Sequence, residues 1–498
     1  MSGGRLSWPA ASWLAVKGGR SDVVRIVLTA VGSAVGTLAL LSAATVISIG
    51  PEDGPYSTRV LEEPGLHKGV VTALVLLCIP ILAFVGQCAR IGAPARDRRL
   101  AAIRLAGGTP RDVIRVACGE TGIAAGIGAV TGLGLYLLGR VLLGWTSVET
   151  YAVFTEVPSS APGAFAGIGY QPVTGPVLAL PTDVLPPLWT ITALVFVIPL
   201  AAAAFTRLAL RRVAISPFGV TRHRSTRPPR LLPAILFGAG VLALALMTTV
   251  VRTLNLDLGT SAIPALAALA LLLITSAGLV LGNAALAAGI GSFVAPRARR
   301  PAVLIAARRL AADPYAASRA FAALLLTVLV GAGAQGVRAF TLASTEPSDP
   351  FYADTLDLVD LVIVVAVVVA SLGLLVVAAE GIVARRRALA ALSAAGTPVG
   401  VLRRAVLAEV LLPLLPSALL AAAAGLFAAR GLFGTTFVDY EYSRTGQLLS
   451  EQVTAIPVPW ARLGVLVGGT VAVTLLVTAV SLLWLRPSID PAELRAAA

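Results

Sequence analysis

Apolar residues fill long stretches of the chain. Between them lie short segments that carry most of the arginines, prolines and acids. A helix crossing the hydrocarbon core of a bilayer needs about twenty such residues. Ten segments qualify, at roughly 26–49, 69–89, 112–143, 187–209, 231–251, 262–293, 320–341, 357–380, 399–428 and 460–485. Several are long enough to imply tilt or extension beyond the bilayer. The first follows Arg20 and Arg25, but it outruns the apolar region of a signal peptide, about 7–15 residues, and reads as a retained span.

Composition removes the soluble alternative. Apolar residues make up 57% of the 498 positions and charged residues 13%, with a mean hydropathy of +0.88. A soluble domain carries about 25% charged side chains because its surface must be solvated. Disorder requires low hydrophobicity and is excluded as well. The predicted fold class is therefore an all-α integral membrane protein with about ten transmembrane helices.

Charge orients the predicted bundle. Lys17 and Lys68 are the only lysines among the 39 basic residues, and the net charge is +14. With the N-terminus inside, 31 of the 39 fall in cytoplasmic segments, as the positive-inside rule requires. Glu52, Asp53, Glu62, Glu63, Glu149, Glu156, Asp349, Asp354, Asp439, Glu441 and Glu451 all fall outside. Both termini are then cytoplasmic. Arginine in place of lysine, with abundant alanine, points to a GC-rich bacterial genome and hence to a bacterial plasma membrane. Cys78, Cys88 and Cys118 lie in or beside apolar stretches and form neither a disulfide framework nor a zinc signature. His67 and His223 fall on opposite sides and share no metal, and no metal site is predicted.

Two cytoplasmic stretches repeat each other. Residues 98–118, RRLAAIRLAGGTPRDVIRVAC, and 386–406, RRALAALSAAGTPVGVLRRAV, align at an offset of 288. Leaving alanines aside, the pairs are Arg98/Arg386, Arg99/Arg387, Gly108/Gly396, Thr109/Thr397, Pro110/Pro398, Val113/Val401 and Arg115/Arg403. Glu120 and Glu409 follow, one residue out of step. Each stretch lies between the second and third span of a four-span unit, so spans 1–4 and 7–10 form parallel repeats. Locally, Arg98–Leu105 favours helix, Gly107 and Gly108 stop it, Thr109 caps the next helix and Pro110 suits its first turn. The product is a short surface helix, a tight turn and a long span.

This arrangement resembles the FtsX-like permease family of ABC transporters. The resemblance rests on RRLAAIRLAGGTP and RRALAALSAAGTP, each followed by a span that carries a glutamate. It implies two FtsX-like repeats with a two-helix insertion. The first part of the layout is an entry helix at 1–25, a first repeat at 26–210 with an outer loop at 144–186, and a basic linker at 211–230. A two-span hairpin at 231–293 and a second entry helix at 294–319 follow. The second repeat occupies 320–486 with an outer loop at 429–459, and a tail closes the chain at 487–498.

In that family the helix between spans two and three contacts a separate ATPase. The resemblance therefore assigns ATPase coupling to Arg98, Arg99, Arg104, Gly108, Thr109 and Pro110, and to Arg386, Arg387, Gly396, Thr397 and Pro398. It implies two docked ATPase subunits that carry ATP and Mg, while this chain holds no cofactor. A P-loop needs Gly-Lys-Ser/Thr, and both lysines here precede glycine, so the chain is not expected to hydrolyse ATP itself. The cargo implied is lipid-like, peptide or otherwise amphipathic, moved outward, or else force is transmitted to an extracellular partner.

Other features compete. Glu120 and Glu409 read as partners of Arg115 and Arg403 on their own segments. Asp354, Asp357 and Asp360 form either a cation lip or a favourable helix N-terminal charge. Gly32/Gly36, Gly122/Gly126, Gly128/Gly132 and Gly278/Gly282 have the spacing of close helix contacts. The basic linker meets anionic lipid rather than nucleic acid. An ion-coupled secondary transporter is the alternative function. It needs polar groups near the bilayer centre, where the sequence offers Asn283 and Gln335.

Overall fold

The computed structural model describes residues 20–50, 52–57, 61, 64–88, 109–157, 167–211, 230–253, 262–344, 351–442 and 448–484. In chain order the helices are α1 (Arg20–Ile47), α2 (Pro64–Cys88), α3 (Pro110–Leu142), α4 (Leu188–Arg211), α5 (Leu232–Ala245), α6 (Met247–Thr253) and α7 (Ala262–Val294). They continue as α8 (Pro301–Ala312), α9 (Pro314–Ala343), α10 (Phe351–Ala384), α11 (Arg386–Ala394), α12 (Val399–Phe433) and α13 (Trp460–Ser481). Nine of these, among the described residues, are long and apolar enough to cross a bilayer. The chain is a multi-pass membrane protein. The fifth predicted span is two shorter helices, α5 and α6, separated at Leu246. No proline marks that break. It lies where α12 presses closest, with Gly431 directly on the Leu244 carbonyl.

The two predicted outer loops are not plain connections. Residues 144–186 contain an antiparallel pair, β1 (Thr146–Val157) and β2 (Gly167–Leu178), with Thr146 opposite Leu178. Residues 429–459 contain β3 (Thr436–Tyr442) and β4 (Leu448–Ala455). Alternating β-branched and aromatic residues, as in Thr146–Val157, explain both hairpins. Each joins two long helices: α3 to α4 and α12 to α13. The segment before α2 adds a parallel bridge, Tyr56 with Leu178.

The same element order thus occurs twice: three long helices, a β-hairpin and a fourth long helix, over 20–211 and again over 314–481. The packing partners correspond as well. α1 packs on α3 and α2, and α9 packs on α12 and α10. The halves meet where α2 lies against α9 and α10, with Phe84 and Gln87 seated over Gly373. The α5–α7 hairpin packs on the second half, against α9 and α12.

Lipid tails are as apolar as leucine, so helices in a bilayer associate mainly through close packing and hydrogen bonds. Small residues supply the packing here. A Cβ on Gly128 would overlap the Ala30 carbonyl, and one on Gly132 the Ala34 carbonyl, so α1 and α3 cross backbone to backbone. At the matching crossing of α9 and α12, Gly425 lies on the Leu329 carbonyl and Gly336 on Ala429. Gly32 and Gly36 instead admit Phe84, Ile81 and Ile198, while Gly278 and Gly282 seat α5 on α7. Gly122 and Gly126 face open space.

Gly128→Ala should destabilise the purified protein by about 1–3 kcal/mol, the cost of overpacking a close contact. Gly122→Ala, where a Cβ meets nothing within 4 Å, should be neutral or slightly stabilising. Thermal unfolding in detergent compares the two.

Candidate functional site

At the end of the bundle where α3 and α12 begin, the third long helix of each half carries a buried or half-buried glutamate. Glu120 on α3 accepts from Arg25 of α1 at 3.1 Å, and their side chains are 2% and 4% exposed. Glu409 on α12 receives Arg385 at 2.5 Å and Arg309 at 3.5 Å. Arg309 lies on α8, the helix that enters the second half, and Arg385 lies between α10 and α11. In both halves a glutamate therefore ties the third long helix to the start of its unit.

These partners correct the expected pairing within each segment. Arg115 meets Asp112 at 3.8 Å rather than Glu120. Arg403 makes no ion pair with Glu409, and its Nε is buried without a hydrogen-bond partner among the described residues. Helix geometry gives the reason. Spacings of five and six residues turn the two side chains about 120–140° apart, whereas pairs meet at three or four.

The turn motifs are built from complementary pieces. In the first copy Arg98, Arg99, Arg104 and Gly108 lie outside the described residues. Thr109 caps α3 in a capping box: its hydroxyl accepts from the Asp112 N–H, and the Asp112 carboxylate accepts from the Thr109 N–H at 3.0 Å. Pro110 occupies the first helical turn, which needs no N–H from it. In the second copy Arg386 and Arg387 open α11. Gly396, at φ +85°, ends it in a Schellman motif, with Thr397 N donating to Leu392 O and Gly396 N to Ser393 O, both at 3.0 Å. Pro398 then serves as the N-cap of α12 without a side-chain bond.

α11 is a surface helix pinned by one face. Leu389 and Ala390 are fully buried, and Leu389 packs with Ile382, Leu402 and Leu482 at the junction of α10, α12 and the end of α13. Ala388, Ala391, Ala394 and Gly396 are exposed. A helix buried through Leu389 and exposed at Ala388, Ala391 and Ala394 can receive another protein and pass its movement to three helices at once.

The opposite end carries a second matched feature, which the sequence reading missed. Arg140, in the last turn of α3, donates to the carbonyls of Val184 and Thr182. Arg430, in the last turn of α12, donates to Ile456 O at 2.9 Å. Each arginine thus latches the segment that leaves the hairpin for the fourth long helix. The signal was present as Arg140-Val-Leu-Leu-Gly144 and Arg430-Gly-Leu-Phe-Gly434, hidden by its position at the edge of an apolar run. Trp189 and Trp460, at the starts of α4 and α13, are both exposed, as interfacial aromatic anchors are.

The aspartates at this end are engaged. Asp357 meets Arg338 at 2.9 Å, while Asp360 meets Arg462 at 2.5 Å, Arg338 at 3.4 Å and Gln335. Their charge is answered by arginines rather than left open for a cation; the Asp354 side chain lies outside the described ones. Asn283 accepts from Ser417 at 2.5 Å. Tyr56 donates to Asp183 at 3.0 Å, and burial, then the hydrogen bond and charge of Asp183, hold its phenol well above the ordinary range. Among the described residues no group of histidines, cysteines and acids could hold a metal.

No family model matches the chain, and neither a curated protein nor a solved structure matches it.

Removing one partner of a buried ion pair costs about 3–5 kcal/mol, because the other charge is left uncompensated. Glu120→Leu should therefore destabilise the protein by up to about that amount, and Glu120→Leu combined with Arg25→Leu should cost less than the two single changes summed. A double-mutant cycle on unfolding in detergent measures both.

Proposed function

We propose that this chain is the membrane subunit of an ABC transporter of the FtsX-like type, coupled to a separate ATPase. The observation that carries the reading is α11: a short helix pinned on its leucine face, exposed at Ala388, Ala391 and Ala394, and joined through Arg385 to Glu409 of α12. ATP binding by a partner beneath α11 pushes that helix. The push reaches α12 through the Arg385–Glu409 pair and α8 through Arg309. The equivalent role in the first half falls to Arg98–Gly108, ahead of the Thr109 cap.

Three further features support the reading. The repeated element order gives one chain both halves of a permease, and so two docking places for an ATPase dimer. The first and third long helices of each half cross at backbone contact and can move as one body. The arginine latches carry that movement to the hairpins. The cargo class that suits a bundle with so many apolar faces is lipid-like or amphipathic. The two hairpins on the other face are the elements through which force would reach a partner outside.

Photo-crosslinkers placed at Ala391→Cys and Ala394→Cys, both exposed, should capture a P-loop ATPase in native membranes. The same probe at Ala390→Cys, which is buried, should not. Reversing Arg386→Glu and Arg387→Glu should lower ATPase recovery about tenfold, as like-charge contact at an interface does. Failure of the exposed positions to capture any nucleotidase would defeat the proposal.

A further inference from the structure

The turn between α7 and α8 gathers positive charge without its counterpart. No acid occurs in the sequence between Asp257 and Asp313, whereas Arg297, Arg299, Arg300, Arg308 and Arg309 follow one another closely. Arg309 is taken by Glu409. The other four are exposed, and none has a carboxylate partner among the described residues. Like charges crowded in this way attract anions from outside the chain.

The surroundings of the turn decide which anion. The apolar span Ala267–Arg297 ends there. Phe293, in the last turn of α7, is exposed, and the Arg297 guanidinium lies 4.0 Å over its ring. An exposed aromatic at the end of an apolar span faces lipid, and an arginine laid over it covers apolar surface while its charged head reaches for polar groups.

α8 continues the pattern. Its buried face is Ala302, Ala306, Ala307 and Leu310. Gly291 of α7 packs on Ala307, Leu310 and Ala311, which holds α8 beside the last turns of the span. Arg300, Leu304 and Arg308 follow at four-residue intervals, so they form one stripe away from that face, and all three are exposed. A leucine between two unpaired arginines suits neither open water nor hydrocarbon. It suits the boundary between them, where the leucine meets acyl chains and the arginines meet phosphates.

We propose that this arginine face is a docking surface for anionic phospholipid of the leaflet on that side, with head-group phosphates on Arg297, Arg299, Arg300 and Arg308 and Leu304 among the acyl chains. The surface requires only this chain and stands independently of the ATPase reading.

The test is native mass spectrometry of the full chain, purified in detergent and offered an equimolar mixture of phosphatidylglycerol and phosphatidylcholine with identical acyl chains. An arginine at an anionic lipid surface is worth about a fivefold preference, and phosphatidylglycerol should be retained at least that much better. Arg300→Gln combined with Arg308→Gln should bring the two lipids close to equal retention. Arg300→Lys with Arg308→Lys should keep the preference, because a phosphate accepts either cation, and this pair separates lost charge from lost structure. Arg111→Gln with Arg207→Gln removes as much charge from exposed positions at the same end of the first half, and should also keep the preference. Equal retention of the two lipids by the unaltered chain would overturn the proposal. So would a preference that survives Arg300→Gln with Arg308→Gln, or one that falls equally in the Arg111 and Arg207 variant. Loss of a bound protein from the Arg300 and Arg308 variant, with its lipid preference intact, would assign the surface to that protein instead.

Discussion

The backbone-to-backbone crossing of the first and third long helices in each half is the contact on which the rest of the bundle depends. In water, burying leucine would suffice to join two helices; in a bilayer it gains nothing over lipid. Contact must then come from surfaces without side chains to hold them apart. Gly128 and Gly132 on Ala30 and Ala34, and Gly425 on Leu329 and Gly333, provide such surfaces. Once that crossing is made, α3 and α12 become struts around which the other helices of their halves are arranged.

Polar locks sit at both ends of each strut, where they cost least. Glu120 and Glu409 close one end against Arg25, and against Arg309 with Arg385. Arg140 and Arg430 close the other by gripping carbonyls beyond the hairpins. A strut locked at both ends and packed through backbone in the middle carries displacement with little loss. That property links the fold to the proposed coupling role, because α11 is attached to α12 through the Glu409 lock. The α5–α7 hairpin packs against α9 and against the strut α12, with Gly431 on the Leu244 carbonyl.

Much of the helical framework was legible as runs of apolar residues, since hydrocarbon allows few alternatives to a helix. The second turn was legible in part: Gly396 ends α11 at the positive φ that glycine allows, while Pro398 rather than Thr397 is the N-cap of α12. Pairing was not. Glu120 and Glu409 looked like partners of Arg115 and Arg403, yet the geometry of a single helix turns those side chains apart, and the true partners are 95 and 100 residues distant or across a helix junction. The four glycine pairs looked alike in sequence, but only packing distinguishes Gly128/Gly132 at a crossing from Gly122/Gly126 facing open space. The hairpins were obscured because Pro and Gly around 158–181 mark connections, while the pairing of Thr146–Val157 with Gly167–Leu178 is a long-range fact.

The mass of the intact complex, taken from the chain's own membrane without a partner supplied, bears most directly on the coupled-permease reading. Native mass spectrometry should find one 50.7 kDa chain with two copies of a P-loop ATPase. Finding the chain alone, or only with copies of itself, while it still moves its cargo across the membrane would contradict that reading.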